Sequence, residues 1–257
     1  LLTIDRTSPS ILELFLLVFK RITMTCEAVV AIDGPSGSGK SSMAKNLAEE
    51  MGLLYVDTGS MFRALALVAK KKGLPLTSEG ITSDFLNSLE IEYGTSENEL
   101  IKVNGENLTN SIRDHQVSGL ASQISQISNV RDFLRGFQRN LVKMKTCVME
   151  GRDIGTVVFP KAFCKIYLTA SDETRALRRL KQLQEKGETT LELSDVLRDV
   201  RKRDEDDSKR SLAPLKQAED ALFIDTTLMS TEDVLEKLKN IVLEKAKIRG
   251  VELKKVH

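Results

Sequence analysis

A glycine-rich loop between a predicted strand and a predicted helix constrains this chain more than any other feature. The loop, Gly34–Ser41, reads Gly-Pro-Ser-Gly-Ser-Gly-Lys-Ser and fills every fixed position of the pattern G-x-x-x-x-G-K-[ST]. The apolar run Ala28–Ile32 precedes it, and an amphipathic helix is predicted to follow it, from Ser42 to Met51. This order of strand, loop and helix predicts that phosphates bind where the first strand ends.

The loop supplies the groups that a nucleoside triphosphate needs. Its glycines let backbone N–H groups turn inward around a phosphate, and the helix N-terminus adds partial positive charge. Lys40 is expected to reach the β- and γ-phosphates, and the Ser41 hydroxyl is expected to ligate Mg²⁺. The residues predicted to bind the donor nucleotide are Gly34, Pro35, Ser36, Gly37, Ser38, Gly39, Lys40, Ser41, Ser42 and, from a later helix, Arg178.

Composition narrows the classes of protein and partner. The charges nearly balance, with 38 basic and 37 acidic residues, so nothing supports an extended nucleic-acid surface. The 3 cysteines are isolated, which excludes a disulfide scaffold or a zinc cluster and suits a reducing cytosol. We therefore expect a cytoplasmic monomer that binds small molecules, with neither nucleic acid nor a membrane as a partner.

The first 23 residues differ in character from the rest of the chain. The sequence begins with leucine, and its first methionine is Met24, shortly before the first predicted strand. An apolar run over residues 11–19 is too short to span a bilayer, which takes about 20 residues. We predict that residues 1–23 are a leader outside the mature fold and that translation starts at Met24. A membrane-surface anchor is the alternative.

Strands and helices alternate along the rest of the chain. Besides the first strand, buried strands are predicted at Leu53–Val56, Thr146–Met149, Cys164–Leu168 and Ala221–Ile224. Helices are predicted at Met61–Lys72, 116–144 as one or two helices, Asp172–Glu185, and from Thr231 to about Lys247. This pattern predicts an α/β fold with a five-stranded parallel sheet, in which ligands bind at the carboxyl ends of the strands.

A polar segment interrupts this alternation after residue 75. It contains the alternating strands Leu89–Tyr93 and Leu100–Val103, and Asn104-Gly105 indicates a hairpin. We predict a small antiparallel subdomain inserted at about residues 76–125 of a domain that covers residues 24–247. A short helical lid is predicted at about 198–213, and residues 248–257 are expected to form a tail.

Two polar segments follow the second and third strands of the predicted sheet. They are Asp57–Arg63 and Glu150–Thr156, and both lie at the same edge as the phosphate loop. The arginine fork matches the geometry of a phosphate, so Arg63 and Arg152 suggest a second phosphate that faces the first. A plain surface position is the alternative for Arg63.

Charged residues are also concentrated on two later helices. On the helix predicted to begin near Ser194, the spacing of Arg203, Asp207 and Arg210 puts them on one face, and Leu212–Leu215 is predicted to end it. A solvated face with ion pairs is the alternative. The other helix carries Arg175, Arg178, Arg179 and Lys181, and we expect part of it near the donor nucleotide. Together these groups imply phosphoryl transfer between two bound nucleotides, because that transition state needs charge clamps more than a strong base.

Several of these segments resemble bacterial cytidylate kinase. The matching runs are Ile32–Ser41, Asp57–Arg63, Gly151–Pro160, Leu183–Gly187 and Arg203–Leu215, within a resemblance that extends from about Ala28 to Lys247. Members of this nucleoside monophosphate kinase family transfer the γ-phosphate of ATP to CMP or dCMP with Mg²⁺, in pyrimidine metabolism. The resemblance implies a P-loop three-layer fold, with the insert as a nucleoside monophosphate-binding subdomain.

The resemblance also implies roles for individual residues. Ser122, Arg131 and Asp153 would read the cytosine. Asp207 would hold the sugar hydroxyl with Thr58 nearby, where the family often has Ser. The residues that would bind phosphate or stabilise its transfer are Arg63, Arg152, Arg203 and Arg210, and the expected catalytic set is Lys40, Arg152, Arg203 and Arg210.

Other functions fit the sequence less well. Kinases for adenylate, guanylate or shikimate lack the insert at this place or the Gly151–Pro160 run. A regulatory GTPase should contain Asn-Lys-x-Asp, and no such tetrapeptide occurs here. A nucleic-acid-binding module should offer stacking platforms, whereas aromatic residues make up only 5% of the chain.

Overall fold

A parallel sheet with helices on both faces forms the centre of the molecule. The computed structural model describes residues 27–96, 99–143, 145–185, 187 and 190–254, so the predicted leader and Met24 lie outside the described residues. The strands in this part of the chain are β1 (Glu27–Asp33), β2 (Leu54–Asp57), β3 (Ile91–Ser96), β4 (Glu99–Val103), β5 (Glu106–Asn107), β6 (Cys147–Gly151), β7 (Ala162–Thr169) and β8 (Leu222–Asp225). The helices are α1 (Lys40–Met51), α2 (Thr58–Lys71), α3 (Ser83–Asn87), α4 (His115–Ile124), α5 (Ser128–Leu141), α6 (Asp172–Gln184), α7 (Leu193–Ser208) and α8 (Thr231–Arg249).

The sheet has five strands in the order β2-β6-β1-β7-β8, and every neighbouring pair is parallel. Both faces of β1 are buried, since Val29 packs into one apolar cluster while Val30 packs into the other. The first cluster includes residues of α2 and α5, and the second includes residues of α1 and α8. A parallel sheet covered on both faces is the predicted α/β fold with three layers, which is thereby confirmed.

The segment after α2 forms a separate antiparallel sheet in the order β3-β4-β5. Asn104 and Gly105 connect β4 to β5 with φ angles of 51° and 78°, as a two-residue hairpin turn requires, so the predicted hairpin is confirmed. Ile101 and Val103 of β4 pack into the same apolar cluster as α2. The small sheet is therefore joined to the main one by shared apolar packing.

The helices differ from their predicted bounds at two places near the site. Helix α2 begins at Thr58 rather than at Met61, because the Asp57 side chain caps it by accepting from Ser60 N at 3.0 Å. Helix α7 ends at Ser208, so the prediction that Arg210 lies on this helix was wrong. The chain turns back there, as Ala213 has a φ of 49° and Leu215 N donates to Asp207 O at 2.8 Å.

Among the described residues, no helix combines the length and the apolar character that crossing a bilayer requires.

The buried carboxylate at the end of β1 holds the segment that comes after β6. Asp33 accepts from Ile154 N at 2.8 Å and from Gly155 N at 2.7 Å, one bond to each oxygen. Burial raises the pKa of Asp33 to about 7, while the two amide donors favour its charged form. Because the two amides follow Asp153 directly, Asp33 fixes the strand end from which Arg152 and Asp153 project.

We expect Asp33→Asn to lower the free energy of unfolding by about 1–3 kcal/mol, because one buried N–H would then face an NH₂ group. In a domain of this size, each kcal/mol corresponds to about 2–4 °C in Tm, which thermal denaturation can measure. Asp132→Asn is the matched control, since Asp132 is exposed and pairs with Arg135 across one helical turn at the surface. Equal melting temperatures for the two variants would contradict a stabilising role for the hydrogen bonds of Asp33.

Candidate active site

A cavity of about 540 Å³ opens where the strands of the parallel sheet end. Its volume is in the range of ligand sites, and its wall joins the phosphate loop to α2, α6 and α7. The predicted site residues that line it are Ser36, Gly37, Ser38, Gly39, Lys40, Ser41, Ser42, Thr58, Arg63, Ser122, Arg131, Arg152, Asp153, Arg178, Arg203, Asp207 and Arg210. The fold thus brings together nearly every side chain that the sequence singled out.

Gly34 and Pro35 support the loop from behind the cavity. A Cβ at Gly34, which has a φ of 156°, would lie only 2.0 Å from Leu168 O, so β7 approaches the loop at a glycine. The carbonyl of Pro35 accepts from Lys40 Nζ at 3.0 Å. These two residues therefore act on the loop and its lysine rather than on the cavity wall.

Lys40 is a buried cation at the floor of the cavity. Burial lowers the pKa of its ammonium, and the neighbouring Arg152 lowers it further, while Glu150 opposes both. The hydroxyl of Ser38 in the same loop is buried without a hydrogen-bond partner among the described residues. A polyphosphate would satisfy both groups, because it supplies negative charge to Lys40 and acceptor oxygens to Ser38.

Glu150 is a site residue that the sequence analysis did not select. It is the next-to-last residue of β6, where its carboxylate interacts with the Ser41 hydroxyl and accepts from Tyr55 Oη at 3.2 Å. Burial raises the pKa of this carboxyl. Its position one strand away from the loop was the available signal, since acidic residues at such strand ends often lie near the cation of a nucleotide. Carboxylate and hydroxyl oxygens are ligands that suit Mg²⁺.

Asp153 and Arg131 form an ion pair in the wall of the same cavity. Arg131 Nη1 donates to Asp153 Oδ2 at 3.1 Å, and Arg131 Nε donates to Ser125 O at 2.6 Å. The guanidinium carbon also lies over the Phe62 ring, 5.6 Å from its centre, which adds a cation–π contact. Burial raises the pKa of Asp153, and Arg131 opposes that shift. The pair presents an acceptor and several donors side by side.

Asp207, near the end of α7, binds two arginines from different parts of the chain. It accepts from Arg152 Nε at 2.9 Å and also from Arg210, and only 2% of its side chain is exposed. Burial opposes its charge, but the surrounding arginines outweigh that cost and hold the pKa of Asp207 below its usual value. The alternative of a solvated helical face is therefore wrong for this residue.

The remaining cations of the wall are less completely paired. Arg63 Nη2 donates to Asp57 Oδ2 at 2.7 Å, whereas Arg203 Nε is buried without a partner among the described residues. Burial, followed by the charge of Arg152, lowers the pKa of Arg203 to about 10. Arg179, which the sequence analysis gave no role in the site, also lines the wall. Basic side chains outnumber acidic ones in this cavity, so it is suited to an anionic ligand.

The basic face of α6 divides between the cavity and the protein interior. Arg178 donates to Thr226 Oγ1 at 3.0 Å and to Thr226 O at 2.9 Å, at the cavity rim beside the phosphate loop. Arg175 is only 4% exposed and points away from the cavity into the structure.

Thr58 is a buried wall residue whose hydroxyl donates to Glu150 O at 2.8 Å.

Comparison with known proteins agrees with this geometry. The sequence profile of the family described as cytidylate kinase matches residues 30–244. The cytidylate kinase of Thermotoga maritima is 45% identical over 217 residues, which are 84% of this chain and 97% of that one. The cytidylate kinase of Geobacter sulfurreducens is 43% identical over 84% of this chain and 93% of its own. The chain therefore belongs to the cytidylate kinase family.

Proposed function

We propose that this protein transfers the γ-phosphate of ATP to CMP or dCMP, forming ADP and CDP or dCDP. The observation that carries the proposal is a single cavity lined by two unlike groups of residues. Its lining includes the phosphate loop, the pair of Arg131 and Asp153, and several further arginines. We assign the loop to the donor end of the site and the pair to the acceptor end. Such an arrangement suits two nucleotides whose phosphates meet in the middle.

The donor end fits a triphosphate. Gly37 and Gly39 have φ angles of 74° and 86°, which turn the backbone of the loop around an anion. Lys40 is buried, and within the described part of the chain its ammonium donates to Pro35 O and forms no salt bridge with a carboxylate. Arg178, which donates to Thr226 at the rim, is proposed to border the donor nucleotide. Family membership makes ATP the phosphate donor.

The acceptor end fits cytosine better than uracil. Cytosine carries an amino donor beside ring acceptors, so Asp153 can accept from the amino group while Arg131 and Ser122 donate to the acceptors. Uracil would direct a carbonyl oxygen at the carboxylate. We assign base recognition to these three side chains, with Asp207 and Thr58 beside the sugar and Arg63 at the acceptor phosphate.

Transfer of the phosphoryl group needs charge rather than a strong base. The equatorial oxygens of the transferred group carry negative charge in a loose transition state. Arg152, Arg203 and Arg210 border the space between the two ends, and Lys40 approaches it from the loop. Their closure over the nucleotides would exclude water, which otherwise hydrolyses ATP.

A Mg²⁺ ion fits the oxygens near the loop. Ser41 and Glu150 would hold it, one through its hydroxyl and the other through its carboxylate, directly or by way of water. When bound there, the ion would supply positive charge that offsets the negative charge of the phosphates. We further propose a cytoplasmic monomer acting on small molecules, in which residues 76–125 cover the acceptor and residues 198–213 act as the lid.

A coupled ADP-release assay with ATP and each nucleoside monophosphate tests the proposal. We expect kcat/KM for CMP and dCMP to exceed that for AMP and GMP by at least about a hundredfold, because those bases lack the matching edge. Lys40→Ala is the control for contaminating kinases and should show no turnover. Faster turnover of AMP or GMP than of CMP would contradict the assignment.

We expect Asp153→Ala to remove about 2–4 kcal/mol of transition-state stabilisation with CMP, because Arg131 loses its charged partner and the amino group loses its acceptor. Steady-state kinetics should show the loss in kcat/KM for CMP and a smaller loss for UMP. Asp84→Ala, at an exposed position on α3, is the control. A value of kcat/KM for CMP within about threefold of wild type would rule out this role.

The proposed metal site predicts a specific defect in Glu150→Gln. We expect the Mg²⁺ concentration needed for half-maximal rate to rise by about 10–100-fold, because the carboxylate charge is lost at constant shape. Titration of the rate with Mg²⁺ at fixed ATP measures this change. Tyr55→Phe removes only the hydroxyl that donates to Glu150 and should have a much smaller effect. An unchanged Mg²⁺ requirement in Glu150→Gln would exclude Glu150 from the site.

A further inference from the structure

A buried ion pair behind the cavity joins the phosphate loop to the lid helix. Arg175 of α6 donates through Nη1 to the carboxylate of Asp204 on α7. The exposed fractions of the two side chains are 5% and 17%, and neither residue lines the cavity. A buried ion pair stabilises a structure only when further hydrogen bonds satisfy both charged groups.

Those further hydrogen bonds go to the tip of the phosphate loop. Ser36 N donates to Asp204 Oδ1 at 3.1 Å, and Ser36 O accepts from Arg175 Nη1 at 2.8 Å. Both backbone polar groups of Ser36 are thus bound by side chains of the two helices. The next residue, Gly37, has a φ of 74°, and a Cβ there would lie 2.8 Å from Arg175 O. The loop tip is packed directly against α6.

Arg175 is itself held rigidly. Its Nε donates to Ala170 O at 3.0 Å, and its Nη2 donates to Asp172 Oδ1 at 2.6 Å. Its Nη1 donates to Ser36 O and to Asp204, so all three nitrogens of the guanidinium form hydrogen bonds. The guanidinium of Arg175 is therefore held in one orientation, and the Asp204 side chain of α7 binds to it.

Asp204 follows Arg203 directly in the sequence of α7. Arg203 lines the cavity, and its Nε is buried without a partner among the described residues, so its own hydrogen bonds do not place it. Arg201 of α7 also pairs with Asp172 and Glu173 of α6, but these side chains are largely exposed, so their ion pairs contribute little. The buried contacts that connect this part of α7 to α6 and to the loop are therefore those of Asp204.

We propose that Asp204 is a positioning residue, which docks α7 on Arg175 and Ser36 and thereby holds the Arg203 guanidinium over the phosphates at the loop. This inference depends on the proposed phosphoryl transfer, in which Arg203 stabilises the transferred group. A displacement of about 1 Å in such a group can cost about a hundredfold in rate, so a contact outside the cavity can control the reaction.

The test is a double-mutant cycle with Asp204→Asn and Arg203→Ala. Asp204→Asn alone should lower kcat by about 10–100-fold and leave KM for CMP within about threefold, because it misplaces a group that acts in transfer. In the Arg203→Ala background, the same substitution should change kcat by less than about twofold. Asp195→Asn is the matched control, since Asp195 lies on the same helix and pairs at the surface with Arg198 at 2.7 Å.

A purely structural role predicts a different pattern. Asp204→Asn would then lower kcat by the same factor with and without Arg203, which would overturn the proposal, as would an unchanged kcat in the single variant. If Asp204→Asn fails to fold by circular dichroism, Arg175→Lys carries the same cycle, because it keeps the charge but loses the fork. Failure of the wild-type protein to phosphorylate CMP would instead refute the proposed function.

Discussion

The concentration of positive charge in one cavity is the constraint on which the rest of the site depends. Guanidinium groups taken out of water are costly unless carboxylates or phosphates face them. Four of them have a carboxylate: Arg63 faces Asp57, Arg131 faces Asp153, and both Arg152 and Arg210 face Asp207. Arg203 has none among the described residues, and burial lowers its pKa to about 10. The protein thus holds a folded site whose remaining charge only an anion can balance.

The parallel sheet is what makes this concentration possible. Strands β1, β2 and β6 all end at one edge, so the loop after each strand contributes to the same wall. Asp33 fixes the segment after β6, because it accepts from the amides of Ile154 and Gly155. It thereby fixes the direction in which Arg152 projects. Apolar clusters on both faces keep the strands in register.

The sequence was informative where chemistry depends on local order. Gly34–Ser41 predicted a strand, a loop and a helix, and the buried runs predicted the sheet because parallel strands need apolar residues on both faces. The pairings across the fold could not be predicted in this way. Glu150 beside Ser41, and Asp204 against Ser36, depend on which strand and which helix become neighbours. Arg210 was misplaced because a helical spacing does not show where a helix ends.

The paired arginines need not release their carboxylates in order to bind a phosphate. A guanidinium has five N–H donors in a planar fork, and a single carboxylate occupies only one edge. Arg152 uses Nε on Asp207 and Nη1 on the nearby Gly151 O, at 3.4 Å. Arg131 uses Nε on Ser125 O and Nη1 on Asp153. In both, the protein fixes the plane of the group and leaves further donors for a ligand. Preorganisation of this kind lowers the cost of ordering the site when the nucleotides arrive, since the side-chain entropy is lost on folding rather than on binding.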